Sequence, residues 1–397
     1  MKFTFITNYL THHQLPFCME MVKRLGDDFK LIATNSMEEE RIRMGWELDP
    51  NAYPFVIQTD EYAGECKRLM MESDAVMCGG TSVYYVLERM DAGKLTYRYY
   101  ERLYKTGRIH AFAPRGYIKK LREHTKYRNA PVYLLCAGAY VPADFSLFFS
   151  YPGKMLKWGY FPECIEYSEE ERRRPERDKL KLLWTGRMLK WKHPQTAVHA
   201  AKLLKEEYGI PFELEMIGEG ECRSGIEEMR NRYGLEDQLT VRDFIKPEEV
   251  RRKMLDADIY LMTSDHQEGW GAVVNEAMNA GCALAASTAA GSVPYLLMEK
   301  QCGLTYPFYN SEKENAEYLA MQLDHLCTDK DMRNTLSHLA YERITQVWNA
   351  TVAAERLLEF SEAVLGGGQK SWEEGPLSAP PMMQPIVFKP QKRKESK

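Results

Sequence analysis

The segment Ser264–Gly281 reads SDHQEGWGAVVNEAMNAG, and it predicts the fold of the half of the chain that contains it. An apolar strand is predicted over Asp258–Thr263, directly before it, and a helix rich in small residues over Ala272–Ala280, ending at Gly281. A strand, a polar loop with glycines and a helix form the repeating unit of a parallel α/β sheet. Because ligands bind such sheets beyond the carboxyl ends of the strands, this loop is a candidate site.

The same loop carries groups suited to an anion and to pairs of hydroxyls. Gly269 and Gly271 allow the backbone to approach a ligand closely. The N–H groups around Ala272–Val274 are expected to form an anion site where the helix begins. Glu268 and Glu276 carry carboxylates, which accept hydrogen bonds from the hydroxyl pairs of sugars and riboses. The alternative is a surface loop and a helix whose glutamate is merely solvated.

Outward from this segment, short apolar runs alternate with helical patterns, which predicts a doubly wound domain. Its other predicted strands are Leu180–Thr185, Phe212–Ile217, Leu239–Phe244 and Ala283–Ser287, and its other predicted helices are Pro194–Tyr208, Ser224–Tyr233 and Pro247–Ala257. The first half of the chain is α/β but less regular. Its predicted strands are Lys2–Thr7, Asp74–Met77 and Val132–Cys136, and the polar stretch Glu88–Arg128 is expected to hold helices.

Composition excludes several classes of protein. The 53 Lys and Arg residues against 57 Asp and Glu give a net charge of −4, which argues against a nucleic-acid binder. Nine scattered cysteines without a Cys-x-x-Cys pair predict reduced thiols, not disulfides or a zinc site. The apolar stretch at the N-terminus is too short for a signal-peptide core, and no uncharged run could span a bilayer, so we expect a cytoplasmic protein.

Two further motifs point away from metal and cofactor chemistry. Asp256-Ala-Asp258 resembles a metal-binding pair, but it lies at the start of a predicted strand, the wrong end of the sheet for a ligand. No Gly-x-Gly-x-x-Gly run follows the first strand, which disfavours a dinucleotide enzyme. We therefore expect neither a bound metal nor a bound cofactor.

The spacing of Glu268 and Glu276, with glycines after the first, resembles the Glu-x7-Glu pattern of the family 4, or group 1, retaining glycosyltransferases. The stretch NYLTHHQLPF, together with Gly93–Lys105 and Lys157–Glu163, looks like a subgroup associated with bacterial surface polysaccharide synthesis. The resemblance covers about residues 1–365. It implies the α/β architecture called GT-B, in which two Rossmann-like domains face each other across a deep cleft.

The resemblance also implies roles for individual residues. Glu268 would contact the donor sugar, and Glu276 would bind the ribose hydroxyls of the nucleotide. In the loop GRMLKWK, Arg187 and Lys192 would clamp the donor diphosphate and stabilise its charge as it leaves, with Lys190 as a rival for Lys192. The implied nucleotide-binding residues are Glu276, Gly186, Gly218, Phe244, Ile245, Gly269, Trp270, Gly271, Ala272 and Val273.

Two features of the first half are open to more than one interpretation. His13 follows the first predicted strand and would orient hydroxyls of donor or acceptor, or it is a packing or helix-capping histidine. Lys105–Arg128 holds eight basic residues against one acid, interleaved with apolar side chains. Such a segment would touch anionic lipids at the inner membrane face or a lipid-linked acceptor, or it is a solvated helix face.

These expectations divide the chain into four parts. Residues 1–162 form an N-terminal Rossmann-like domain that binds the acceptor, and residues 163–345 form a C-terminal one that binds the nucleotide-sugar. Residues 346–366 form a helix that packs back toward the N-terminal domain, and residues 367–397 form a disordered tail. The charged stretch within Glu163–Lys181 is expected to be a solvated linker.

The predicted function is retaining, metal-independent transfer of a hexose from a UDP- or GDP-sugar to a hydroxyl of a saccharide or lipid-linked acceptor. Polysaccharide or glycolipid synthesis is the expected setting. The alternatives are a GT-B sugar-nucleotide epimerase or phosphorylase, and a non-catalytic protein that binds sugar-nucleotides.

Overall fold

The structure is a computed structural model, and it describes residues 1–37, 39, 42, 48–59 and 63–389. The described chain forms two compact units. Unit 1 comprises residues 1–164 and 346–384, and unit 2 comprises residues 165–345 and 385–389. None of the described helices combines the length and the apolarity that crossing a membrane requires.

Unit 1 is built on a sheet of seven parallel strands. They are β1 (Phe3–Thr7), β2 (Phe29–Ala33), β3 (Val56–Gln58), β4 (Ala75–Gly79), β5 (Thr96–Tyr100), β6 (Val132–Ala137) and β7 (Met155–Trp158). Their order is β3-β2-β1-β4-β5-β6-β7. Every residue of β4, AVMCG, is buried, as expected for a parallel strand covered on both faces.

Unit 2 is built on a sheet of six parallel strands. They are β8 (Leu180–Thr185), β9 (Phe212–Ile217), β10 (Leu239–Arg242), β11 (Ile259–Met262), β12 (Ala283–Ser287) and β13 (Leu304–Tyr306). Their order is β10-β9-β8-β11-β12-β13, so the chain builds outward from β8 and then returns to its other side at β11. The strand order therefore reverses between β8 and β11.

Helices cover both sheets. They are α1 (Leu15–Leu25), α2 (Ala63–Glu72), α3 (Leu87–Asp91), α4 (Pro114–Glu123), α5 (Val141–Ser146), α6 (Glu169–Arg172), α7 (Pro194–Leu203), α8 (Arg223–Arg232), α9 (Pro247–Asp256), α10 (Val273–Asn279), α11 (Glu312–Thr328), α12 (Lys330–Gln346) and α13 (Ala350–Leu365). Helix α13 packs against α1 within unit 1. In unit 2, buried side chains such as Leu182, Leu214 and Leu261 form the core, and each contributes about 1.5–3 kcal/mol through burial.

The two predicted Rossmann-like sheets are confirmed, and the predicted bounds of β8, β9 and β12 match the structure. The stretch Glu88–Arg128 holds helices, as predicted, but it also contains β5, an interior strand of the sheet that the sequence did not predict. Its sequence, TYRYY, reads as polar, yet Arg98 is only 1% exposed and donates a hydrogen bond to the hydroxyl of Tyr100. Tyrosine and threonine favour strands, and here that preference outweighs the polar pattern.

Two segments expected to be solvated or disordered are packed instead. In the charged stretch, the guanidinium of Arg174 donates hydrogen bonds to the carbonyls of Met254, Ala257 and Ala280, which fixes the stretch to unit 2. In the tail, Leu377 is 1% exposed, and residues 390–397 lie outside the described residues. Isolated apolar side chains anchor the tail in a way that its proline-rich composition does not reveal.

Candidate active site

The loops that follow β8 and β11 lie where the strand order of unit 2 reverses. At such a point the chain leaves neighbouring strands in opposite directions, and a crevice opens beyond their carboxyl ends. These are the two loops that the sequence singled out, GRMLKWK and SDHQEGWG. They are joined directly, because the backbone N–H of Asp265 donates to the carbonyl of Trp191 at 2.9 Å.

A lysine and a glutamate form an ion pair in this crevice. The Nζ of Lys192 lies 2.6 Å from Oε2 of Glu268, and the two side chains are only 13% and 12% exposed. The hydroxyl of Ser264 donates to the same carboxylate oxygen at 3.2 Å. Salt screens a sheltered pair of this kind less than it screens an exposed surface pair.

The backbone beneath Lys192 is held by residues that the sequence interpretation missed. The hydroxyl of Thr263 donates to the carbonyl of Lys192 at 2.6 Å, and the indole N–H of Trp184 donates to that hydroxyl at 2.9 Å. Trp184 and Thr263 therefore connect β8 and β11 to the lysine. A polar residue at the end of a buried strand was the available signal.

The other two cations of the loop are exposed. The side chain of Lys190 is 84% exposed, and its amine lies 3.8 Å from the carboxylate of Glu221. Arg187 is exposed. Of these three basic residues, the structure brings Lys192 into contact with Glu268, and the diphosphate role of Arg187 stays a prediction.

Glycines allow the loops after β8 and β9 to lie against each other. The N–H of Gly186 donates to the carbonyl of Ile217 at 3.0 Å. Gly218 has a φ of +144°, and a Cβ at this position would lie 2.0 Å from the carbonyl oxygen of Gly186. A Cβ at Gly220 would lie 2.5 Å from the carbonyl oxygen of Met188. The structure therefore requires a glycine at position 218 for the contact between the two loops, whereas the predicted contact of Gly218 with the nucleotide stays a prediction.

Glu276 is half-buried near the start of α10. Burial raises the pKa of its carboxyl group to about 7, although the charge of Arg251 opposes the shift. Near neutral pH this group can therefore accept or donate a hydrogen bond.

The Gly-Trp-Gly part of the loop is a packing element. Trp270 is fully buried, and its indole N–H donates to Oδ1 of Asn275 at 2.9 Å, so the predicted nucleotide contact is not made by its ring. Gly269 is buried as well. Gly271 has a φ of +91°, and a Cβ there would lie 2.8 Å from Cε of Met262. The aromatic residue fixes the loop from inside the unit.

The predicted anion site at the start of α10 is only partly available. Ala272 already has helical dihedral angles, so the N–H of Val274 closes a turn onto the carbonyl of Gly271 at 3.0 Å. That amide is engaged within the chain. Ala272 and Val273, which were predicted to contact the nucleotide, are half-buried.

Phe244 and Ile245 follow β10, where Phe244 is 40% exposed and Ile245 is half-buried. Asp243 forms an ion pair with Arg223 at 2.7 Å. The same guanidinium donates to one carbonyl after β9 and to one in β10, both at 3.1 Å. Arg223, which the sequence interpretation missed, therefore joins the ends of these two strands.

His13 belongs to unit 1, whereas Arg187, Lys192 and Glu268 belong to unit 2. Its ring lies 3.8 Å from the ring of His12 and is nearly parallel to the ring of Tyr160 at 6.0 Å. These are packing contacts, and the role of His13 toward a substrate stays a prediction.

The Asp-x-Asp motif lies away from the site, at the amino end of β8. Asp256 accepts a hydrogen bond from Nζ of Lys181 at 2.6 Å, and Asp258 accepts one from the backbone N–H of the same lysine at 2.8 Å. Both carboxylates are used to join α9 and β11 to β8, at the end of the sheet where the sequence placed them.

Comparison with protein families identifies the domain that carries this site. Residues 167–343 match the family model described as glycosyl transferases group 1. This segment is a group 1 glycosyltransferase domain. The match confirms the family predicted from the Glu-x7-Glu spacing, and it includes Lys192, Glu268 and Glu276.

Curated relatives of the group 1 domain come from bacteria. The chain is 24% identical over 191 residues to the Salmonella typhimurium protein WcaL, which is assigned to colanic acid biosynthesis as a glycosyltransferase. It is 24% identical over 197 residues to the Bacillus subtilis protein YtcC, which is assigned as a glycosyltransferase. Each comparison covers 47% of this chain, and 45% and 46% of the two relatives, so the chain spans about half the length of the curated relatives it matches.

Solved structures match over nearly the whole chain. Anabaena HepE in complex with UDP has a TM-score of 0.64 at 11% identity and covers 90% of this chain and 99% of its own. The pneumococcal O-GlcNAc transferase GtfA has a TM-score of 0.64 at 12% identity, with 92% and 99% covered. WaaG, a glycosyltransferase of lipopolysaccharide biosynthesis, has a TM-score of 0.58 at 17% identity, with 92% and 100% covered. These similarities confirm the predicted GT-B fold.

Proposed function

We propose that this chain transfers a sugar from a nucleoside diphosphate donor to a hydroxyl acceptor, with retention of anomeric configuration and without a metal ion. The ion pair between Lys192 and Glu268, at the point where the strand order reverses, is the observation that carries the proposal. In this pair, Lys192 is a fixed cation and Glu268 is a fixed group that can accept hydrogen bonds from hydroxyls. Both lie in one crevice of a group 1 glycosyltransferase domain.

The cation suits a departing diphosphate. When the bond to the sugar breaks, negative charge grows on the leaving phosphate oxygen. The ammonium of Lys192 has three donors, of which Glu268 engages one, so the others can hold phosphate oxygens. A unit charge about 4 Å away in a partly shielded site is worth about 4 kcal/mol, or roughly a thousandfold in rate. We assign the exposed Arg187, on the same loop, as the second cation.

The carboxylates suit the hydroxyls of the donor. Glu268 is held by Lys192 and Ser264, and it keeps oxygen lone pairs that can accept hydrogen bonds from the donor sugar. Glu276, half-buried on α10, is assigned to the ribose. A pair that holds the diphosphate by charge and the sugar by hydrogen bonds needs no bound cofactor.

The acceptor is proposed to be a saccharide or lipid-linked saccharide bound by unit 1. WcaL is assigned to colanic acid biosynthesis and WaaG to lipopolysaccharide biosynthesis. We extend this setting to the present chain as part of the proposal.

An exposed apolar and basic surface on unit 1 supports peripheral contact with a membrane. The side chains of Ile109, Phe112 and Ile118 are 79%, 65% and 49% exposed. Exposed basic residues of α4 lie among them, including Arg115 and Lys119. Apolar side chains beside cations are the combination that binds the surface of an anionic bilayer.

Sedimentation with anionic vesicles tests the membrane contact. The double variant Ile109→Ser with Phe112→Ser should stay in the supernatant at a vesicle concentration that sediments the parent chain. Tyr208→Ser, which alters an exposed side chain of unit 2, should sediment like the parent. If all three proteins sedimented equally, or if the parent chain did not sediment, this surface would be excluded as the site of membrane contact.

A donor panel tests the proposed function. UDP-, GDP- and ADP-sugars are added to the full chain, and the melting temperature is measured, because a bound ligand stabilises the fold by mass action. Since HepE and GtfA are solved with UDP, we expect UDP-sugars to give the largest rise. Transfer from the best donor to saccharide acceptors is then followed with EDTA present, and the product anomer is determined by NMR. No stabilisation by any donor would contradict the proposal, and a product formed without acceptor or only with phosphate would indicate epimerase or phosphorylase chemistry.

A further inference from the structure

A histidine beside the ion pair bridges two carboxylates. Nε2 of His193 lies 3.4 Å from Oδ2 of Asp265, and its Nδ1 lies 3.2 Å from Oε2 of Glu312. Asp265 is in the loop after β11, and Glu312 is the first residue of α11. One side chain, only 19% exposed, therefore ties the loop after β8 to two other elements of unit 2.

His193 directly follows Lys192, and its backbone is left-handed, with φ 48° and ψ 50°. This conformation is unfavourable for a residue with a Cβ, and side-chain contacts are needed to maintain it. The residue on the other side of Lys192 is held as well, because the carbonyl of Trp191 accepts a hydrogen bond from the N–H of Asp265. Asp265 therefore anchors the chain on both sides of the lysine.

Helix capping does not account for the contacts of the imidazole. His193 is the N-cap residue of α7, but its side chain makes no capping hydrogen bond. Only one aromatic ring, that of Phe308, approaches it among the described residues, edge-on at 4.9 Å. The polar contacts of the ring therefore account for its position.

The charges that face His193 come from two elements and are both negative. Asp265 faces it from the loop after β11, and Glu312 faces it from α11. From α7 it meets the neutral Gln195, whose Nε2 is 3.5 Å from Nδ1. The neighbouring Lys192 is turned to Glu268. Burial lowers the pKa of His193, but the hydrogen bonds to Asp265 and Glu312 outweigh it and raise the pKa to about 9.

We propose that His193 is a positioning residue of the donor site, whose ring, held between Asp265 and Glu312, sets the direction of Lys192 so that its amine meets Glu268. The inference rests on the proposed function for its consequence in catalysis. The positioning of Lys192 itself is a property of unit 2 that can be measured without a substrate.

Lysine labelling measures that property directly. The full chain is treated briefly with an amine-acylating reagent, and labelling of Lys192 is quantified by mass spectrometry relative to Lys190, which is 84% exposed. The ratio should be low in the parent chain, where Lys192 is paired and sheltered. It should rise severalfold in His193→Asn, since asparagine tolerates the left-handed backbone but cannot bridge two carboxylates. Glu312→Gln, which removes a charge that contacts His193 and not Lys192, should also raise the ratio.

An exposed histidine provides the matched control. His338 pairs with Glu342 at 3.2 Å on α12, and its side chain is 62% exposed, so His338→Asn should leave the labelling ratio unchanged. An unchanged ratio in both His193→Asn and Glu312→Gln would overturn the proposal. Because no donor is needed, this result is independent of whether the chain transfers sugar.

Titration and kinetics complete the test. With labelled histidine rings, the NMR signal lost in His193→Asn should titrate near pH 9 in the parent and lower in Glu312→Gln. In transfer assays His193→Asn should lower kcat/KM for the donor by about tenfold, leave the KM for the acceptor unchanged and remove a decline in rate near pH 9. A signal that titrates near the ordinary value, or an equal rise in both KM values, would contradict the assignment. If the parent chain transferred no sugar, that result would count against the proposed function and not against the positioning of Lys192 by His193.

Discussion

The two sheets share a doubly wound topology, but the carboxyl ends of β8 and β11 in unit 2 and of β1, β2 and β4 in unit 1 carry different chemistry. In unit 2 the edge holds charged groups, the pair of Lys192 with Glu268 and the bridge of His193 between Asp265 and Glu312. In unit 1 the described residues at the ends of β1, β2 and β4 offer hydroxyls and amides. These are Thr7, Asn8, Gln14, Thr34 and Thr81.

The neutral groups of unit 1 bind one another. The hydroxyls of Thr34 and Thr81 lie 2.7 Å apart, and the amide of Gln14 donates to the hydroxyl of Thr7 at 3.4 Å. Groups of this kind recognise hydroxyls without attracting an anion, whereas fixed charges favour a diphosphate. Topology thus places loops at the carboxyl edge of both sheets, and the side chains of these loops decide which molecule each edge can bind.

The largest expected effect comes from breaking the charged pair. Lys192→Met and Glu268→Gln should each lower kcat for sugar transfer by about 100- to 1,000-fold, because each removes a preorganised group from the developing charge or the donor sugar. Steady-state rates of nucleoside diphosphate release measure the effect. Lys190→Met, at an exposed position in the same loop, is the control and should stay within about threefold of the parent. An equal decrease of kcat in Lys190→Met and Lys192→Met would contradict a catalytic role of the sheltered ion pair.

A loss of stability of about 2 kcal/mol or more is expected for Gly218→Ala. The new Cβ would meet the carbonyl oxygen of Gly186 and would force a residue with a side chain to φ +144°. Urea unfolding measures the change in free energy. Gly225→Ala, on α8, is the matched control, because a Cβ there meets nothing within 4 Å and should raise stability by about 0.5–1 kcal/mol. A Gly218→Ala variant as stable as the parent would show that the two loops separate easily.

A change with pH is expected for Glu276→Gln. Burial raises the folded-state pKa of Glu276 to about 7, above its ordinary value of 4.5, so the folded chain binds this proton more tightly than the unfolded chain. Its contribution to stability therefore falls as pH rises from 4.5 to 7. The melting temperature of Glu276→Gln should gain on the parent across that window and then stay level. The exposed Glu213→Gln should follow the parent, and a constant difference for Glu276→Gln would contradict the shift.

The smallest expected effect lies at the neutral edge of unit 1. Thr81→Val keeps the size of the side chain and removes its hydroxyl, so the KM for a saccharide acceptor should rise by less than about tenfold, the value of one neutral hydrogen bond. The KM for the donor should not change. An effect on the donor instead of the acceptor would contradict the division of chemistry between the two edges.

The sequence predicted unit 2 better than unit 1 for a physical reason. The strands of unit 2, such as Leu180–Thr185 before Gly186 and Ala283–Ser287 after Gly281, are largely apolar runs close to a glycine, and the helices of this unit carry the expected stops. In unit 1 the interior strand Thr96–Tyr100 buries an arginine among tyrosines, and its sequence resembles that of a surface segment. Burial decided by distant neighbours does not show in a local pattern.

At the site, the sequence predicted residue types and loops but not the way they pair. Glu268 and Lys192 were found from a motif, whereas the contact between them depends on the adjacency of β8 and β11. The resemblance implied that Trp270 touches the nucleotide, yet its ring fills the interior. Thr263, Arg223 and His193 act through backbone carbonyls or distant carboxylates, and no spacing in the sequence indicates such contacts.

Calorimetric binding of a nucleoside diphosphate without a sugar tests the central claim most directly. With UDP, or with GDP if the donor panel selects it, Lys192→Met should bind at least about tenfold more weakly than the parent, because the cation that holds the phosphates is gone. Glu268→Gln should bind as well as the parent or better, since it removes the carboxylate that engages Lys192. Opposite effects of the two substitutions are the predicted result. Unchanged affinity in Lys192→Met, or equal weakening in both variants, would contradict a diphosphate site at this ion pair.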